Sequence, residues 1–185
     1  MENNYLDSIN KQFQYYQLLG EATFAQLSEA DFFWQYNSAS NSIAIIVNHL
    51  QGNMKSRWTN FLTDDGEKTW RKRDQEFEDI IRSQQELLDK WQEGWACLFE
   101  ALSTINQKNF ETEIYIRNQG HTIIEAINRQ LSHYAYHVGQ IVFIGRMIKG
   151  EAWKSLSIPK GKSVSFNEKK FAQEKRKEHF TKDFL

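Results

Sequence analysis

The residues of this 185-residue chain that could do chemistry are few: five histidines, one cysteine and a scatter of arginines. The sharpest pattern is His133-Tyr134-Ala135-Tyr136-His137. Side chains four apart on a helix share a face, one turn from each other. Two imidazoles so placed can reach one ion at the ~2.0–2.1 Å of a Zn–N bond. A firm site needs a third ligand. His49 is the natural one, because it sits at the inner edge of another helical stripe, and helical proteins build metal sites from facing helices. The glutamate that follows the first histidine in zincin proteases is absent, its place taken by Tyr134, which disfavours that chemistry.

Other polar residues lie near this set. Gln140, one turn past His137, either orients a ligand or packs between helices. Tyr134 and Tyr136 flank the histidines and are expected in the core. Arg57, Arg71 and Arg73 could bind an acidic group of a substrate, but surface salt bridges with Glu67, Asp74 or Glu76 are the favoured reading. His121 is expected on the surface of a turn, His179 solvated in a charged tail, and Cys97 a small buried thiol.

These residues need elements to position them. Leu6, Ile9, Phe13, Tyr16, Gly20, Thr23 and Leu27 recur at three- and four-residue spacing, predicting a helix over about 5–27. Residues 29–41, with Phe32, Phe33, Trp34 and Tyr36, break that period and read as a loop with aromatic plugs. Ser42 supplies N-cap chemistry for a helix to about Leu62, with Ile43, Ile46, Val47, Leu50, Met54, Trp58 and Phe61 inside. Residues 63–82 are a long charged connection, with room for a short helix near Phe77 to Ile81. Ser83 to Glu86 reads as a capping box opening a helix to about Ile105, with Leu88, Trp91, Trp95, Leu98 and Leu102 inside. Alternation over Phe110 to Ile116, then Asn118-Gln119-Gly120, predicts a small hairpin. Thr122 to Glu125 is a second capping box. The helix it opens runs to Lys149, its stripe being Ile124, Ile127, Leu131, Tyr134, Val138, Ile141 and Ile148, with Gly150 as the stop.

The expected fold class is therefore all-α, a four-helix bundle over 1–150 with a small hairpin before the last helix and a C-terminal extension over 151–185. The chain has 23 basic and 24 acidic side chains, a net charge of −1, which argues against nucleic acid as a partner. The lysines of residues 160–182 are mixed with Glu168, Glu174 and Glu178, as in a solvated helix. A single cysteine excludes an intrachain disulfide framework. The first residues lack a secretory pattern, and no stretch suits a membrane span, so a cytoplasmic location is expected. The six Trp and thirteen Phe are expected inside or lining a cavity.

One His in the second long helix and His-x3-His in the fourth resemble the DinB-like (YfiT-like) superfamily of bacterial metal-binding bundles. Asn41-Ser42-Ile43-Ala44 leading to Asn48-His49-Leu50, and His137-Val138-Gly139-Gln140-Ile141, look like its two ligand segments. Gly52 to Trp58, Asp65 to Lys68, Arg73 to Phe77 and Leu156 to Ser163 resemble an uncharacterised branch of it, so that the likeness runs in order along nearly the whole chain. The resemblance implies one Zn²⁺ or Ni²⁺ on His49, His133 and His137, and often a homodimer. It further implies a metal-dependent enzyme acting on a small molecule, with a low-molecular-weight thiol as cosubstrate, as in the thiol S-transferases of that superfamily. The contrasting expectation is a non-catalytic metal-binding or stress-response protein.

Overall fold

Capping chemistry sets where most of the long helices begin. In the computed structural model, which describes residues 2–184, Ser42 Oγ accepts the Ile45 N–H and starts α3, Ile43–Trp58. Ser83 Oγ does the same for Glu86 and starts α4, Gln84–Ser103. Thr122 and Glu125 cap each other's backbone at the start of α5, Ile123–Lys149. Each cap satisfies an amide that the first turn would otherwise leave open. Gly150, at φ +53°, ends α5 in the left-handed region that glycine adopts without strain. Two further helices precede these, α1 (Glu2–Phe24) and the single turn α2 (Glu29–Phe32). The chain is mostly helical, with one antiparallel pair, β1 (Glu113–Ile116) and β2 (Gln119–Thr122).

The four long helices close a ring of contacts: α3 packs on α4 and α5, and α1 packs on α5 and α4. Phe13, Trp91, Trp95, Leu98, Ile127, Tyr134, Val138 and Ile141 fill the space between them. Full burial of one such side chain contributes about 1.5–3 kcal/mol. Gly20 lets α1 approach α4 closely, since a Cβ there would lie 2.3 Å from the Trp91 ring.

Several expectations are corrected in detail. Of the aromatic plugs, Phe32 is buried, while Trp34 and Tyr36 are exposed. Trp70, Phe143, Phe171 and Phe180 are exposed as well. The inner faces of α4 and α5 begin on Leu87 and Ile123, not on Leu88 and Ile124. The short helix of the connection is a 3-10 turn at Arg73–Phe77, earlier than expected, and it packs on α3. The hairpin turn is Arg117-Asn118, both at positive φ (56° and 60°), which matches the twist that two-residue turns require. The Asp65 carboxylate accepts both of their N–H groups at 2.8 Å, tying the turn to the connection.

Beyond Gly150 lies an exposed helix, α6 (Ser163–Phe171). The chain then returns to α1. His179 is not solvated but bonds Ser8 Oγ at 3.1 Å, and Tyr15 meets the Phe180 and Phe184 rings. His121 is half-buried, with Nε2 shut away from solvent, rather than on the surface. Among the described residues no helix is long and apolar enough to cross a membrane.

Candidate metal centre

His49, one turn and a half into α3, and His133 and His137, in the middle of α5, are brought together where those helices pack. Their ligand atoms all lie within 4.8 Å of one another. His133 Nε2 is 3.3 Å from His49 Nε2 and 3.2 Å from His137 Nε2. Three nitrogens bound to one ion at ~2.0–2.1 Å in tetrahedral directions stand about 3.3 Å apart. A proton on His133 Nε2 would serve one of these two contacts at a time, whereas a cation takes all three lone pairs at once.

The far ring nitrogens set the tautomers of His49 and His137, while His133 Nδ1 is buried without a partner. His49 Nδ1 lies 2.9 Å from Glu76 Oε2, and an ionised carboxylate can only accept, so Nδ1 carries the proton and Nε2 is free to coordinate. His137 Nδ1 donates to Gln140 Oε1 at 3.0 Å with the same result. Gln140 therefore orients a ring rather than merely packing. Burial, then the neighbouring His137 and His49 and the arginines, pushes His133 down to about 3. Burial and His49 push His137 down to about 4. Both imidazoles are thus neutral near pH 7, the form that binds a cation.

Glu76 is the residue that sequence reasoning missed as part of the site. It is 7% exposed, on the 3-10 turn, and its backbone carbonyl accepts from the buried Asn48 amide at 3.0 Å. Arg71 clamps its carboxylate with two bonds, of 2.7 and 2.9 Å. Burial alone would raise this carboxyl, but the bonds from His49 and Arg71 outweigh it and hold the group below its ordinary range. Gly52, three residues after His49 on α3, makes room for it: a Cβ there would lie 2.5 Å from Glu76 Oε1. The mark on it in the sequence was its place in the Arg73-to-Phe77 segment of the resemblance; the neighbouring Phe77 ring stacks on His49 at 4.5 Å.

The surface reading holds for Arg73 but not for Arg57 and Arg71. Arg57 is 7% exposed, donates to the Gly66 carbonyl, and pairs with Glu67 at 3.2 Å. The Arg71 side chain is 2% exposed between Glu67 and Glu76. Their salt bridges are as expected; their burial is not. Arg73 is exposed, over the Phe77 ring, and reaches Asp74. Tyr134 does not reach the cluster as a ligand would. It is fully buried, its hydroxyl donating to Asn53 Oδ1 at 3.2 Å and accepting from Trp58 Nε1 at 2.9 Å. Tyr136, expected in the core, is exposed.

The three histidines face a cavity of about 490 Å³, lined also by Asn53, Gln130, Phe77 and five arginines: Arg57, Arg71, Arg73, Arg117 and Arg129. Among the described residues its lining holds no carboxylate, hydroxyl or thiol side chain. Cys97, half-buried rather than fully buried as expected, lies apart in a separate cavity beside Thr59, where burial pushes its thiol up and favours the protonated form.

Fold and site together define a class: a mostly helical protein with a three-histidine cluster at the floor of an arginine-lined cavity. The chain belongs to the family described as Protein of unknown function (DUF1572), whose model matches residues 1–162. That span contains all three histidines, Glu76 and the cavity, and it ends one residue before α6. No curated protein and no solved structure matches the chain.

Proposed function

We propose that this protein is a divalent-metal-dependent enzyme acting on a small molecule, with His49, His133 and His137 as the ligands of one Zn²⁺ or Ni²⁺ ion. The observation that carries the reading is the opening of the three-nitrogen cluster onto a cavity, with no fourth protein ligand closing it among the described residues. Structural zinc sites are closed by four protein ligands, whereas catalytic ones keep a position for water or substrate. The contrasting reading, a non-catalytic metal-binding protein, has no observation of this kind in its favour.

A bound zinc or nickel ion would supply Lewis acidity, giving a thiol or water its anionic form near neutral pH. The protein's own part is to hold the rings: Glu76 and Gln140 fix the tautomers of His49 and His137, and Arg71 keeps Glu76 ionised. With no nucleophilic side chain in the cavity lining, the nucleophile must enter from outside. This suits transfer of a low-molecular-weight thiol to an electrophile, the activity implied by the likeness to DinB-like proteins. The closed ring of α1, α3, α4 and α5 supports reading residues 1–150 as a DinB-like four-helix bundle with 151–185 as an extension. A homodimer has a face available on α5, where Tyr136, Phe143 and Met147 stand exposed along one side.

The test is metal content by mass spectrometry on untagged protein, beside His49→Ala and His133→Ala. About one ion per chain, lost in both variants, is the expected result, followed by turnover of an electrophile panel with a thiol that stops on chelation. Wild-type protein that neither contains nor takes up Zn²⁺, Ni²⁺ or Mn²⁺ would end the proposal.

A further inference from the structure

The cavity above the histidines is more basic than a metal site requires. Five guanidinium groups line it, and the carboxylates that meet them from behind the lining are Glu67 and Glu76. Glu67 is shared between Arg57, Arg71 and Arg117, each at 3.2 Å, and Glu76 is taken by Arg71 and His49. Arg129, one turn before His133 on α5, makes no hydrogen bond or ion pair among the described residues. Arg73 reaches only the exposed Asp74, at 3.9 Å. Deeper in, the Arg57 Nε donor is buried without a partner, and its residue lines the cavity. A buried polar atom left unpaired is costly, and a ligand is one way to satisfy it.

The whole chain carries a net charge of −1, so this excess of positive charge is local. A concave wall of one sign focuses its field on what enters. Guanidinium groups bind carboxylate and phosphate oxygens in pairs of parallel hydrogen bonds. A cavity of about 490 Å³ is of a size for a small molecule, not a polymer.

We propose that the substrate of this site carries an oxyanion, a carboxylate or a phosphate, which Arg73, Arg117 and Arg129 bind at the cavity mouth while Arg57 and Arg71 stand as fixed charge behind them. The reacting end of the molecule is thereby turned toward the three histidines. In speaking of a substrate the inference rests on the proposed function. Its binding test does not, because it runs on metal-free protein.

The experiment is isothermal titration calorimetry on chelator-treated, dialysed full-length protein at low ionic strength, with inorganic phosphate in one series and succinate in another. Wild type is expected to bind at least one of them. The double variant Arg73→Gln/Arg129→Gln, both positions being exposed, is expected to bind at least tenfold more weakly with an unchanged urea midpoint. Lys160→Gln/Lys162→Gln, away from the cavity, is expected to bind as wild type does. Tighter binding of phosphate would point to a phosphate ester, and of succinate to a carboxylate. Heats that are absent for both anions, or a double variant that binds like wild type, would overturn the proposal. Metal content of the same samples before chelation reads the metal proposal separately, so either can fail alone.

Discussion

At the scale of single residues, the histidine cluster depends on groups that never touch an ion. Glu76→Gln keeps the shape and one acceptor for His49 but removes the charge that Arg71 and His49 share. Loss of such a supporting carboxylate typically costs about 10–100-fold in metal affinity, and a chelator competition titration should show a fall of that order. An unchanged affinity would mean that Glu76 is merely a structural ion-pair partner. The depressed histidines carry a second prediction. Below the ordinary value of 6.5 the unfolded chain takes up protons that folded His133 and His137 refuse until about 3 and 4. Metal-free protein should therefore lose stability steadily as pH falls from about 6.5 toward 4. Urea midpoints at pH 7 and 4.5 should converge less in wild type than in a His133→Asn/His137→Asn variant; equal losses in both would sink the idea. His133 and His137 were legible because helical spacing is a strong constraint. Glu76 was not, because buried charge in an irregular turn leaves no periodic trace, and a run such as Arg71 to Glu76 looks like surface.

At the scale of elements, two glycines set how near neighbours may come. Gly20→Ala drives a methyl into the Trp91 ring and should cost about 1–3 kcal/mol in urea unfolding. Gly52→Ala meets Glu76, whose carboxylate cannot swing away without leaving His49 or Arg71. This variant should weaken metal binding roughly as Glu76→Gln does, and a variant that binds metal normally would show the 3-10 turn to be more yielding than its hydrogen bonds suggest. The long helices could be read from caps and stripes: Ser42, Ser83, Thr122 and Gly150 mark real boundaries. The hairpin turn was placed too late because Gly120 looks like the turn residue, while the left-handed positions are held by Arg117 and Asn118 with help from Asp65 across the chain. No local pattern reports that help.

At the scale of the whole molecule, the exposed line Tyr136, Phe143 and Met147 on α5 is the surface from which a dimer would be built. Phe143→Glu places a charge in its middle, and light scattering should show the variant as a monomer under conditions in which the proposed dimer of the wild type forms. A wild type that is monomeric at every concentration would remove the dimer from the proposal. The return of the chain end to α1 could not be read in advance, since Tyr15, Phe180 and Phe184 meet across a distance in sequence that composition does not encode. The helix pairing matters in another way. His49 and His133 are 84 residues apart in sequence, and α4, the hairpin and the whole charged connection lie between them. An ion held by both would close that stretch into a loop, limiting the freedom of the unfolded chain as a disulfide does in a secreted protein. With one cysteine the chain cannot make that crosslink from sulfur. A metal clasp would do so reversibly, and would let the supply of free ion set how long the protein survives proteolysis.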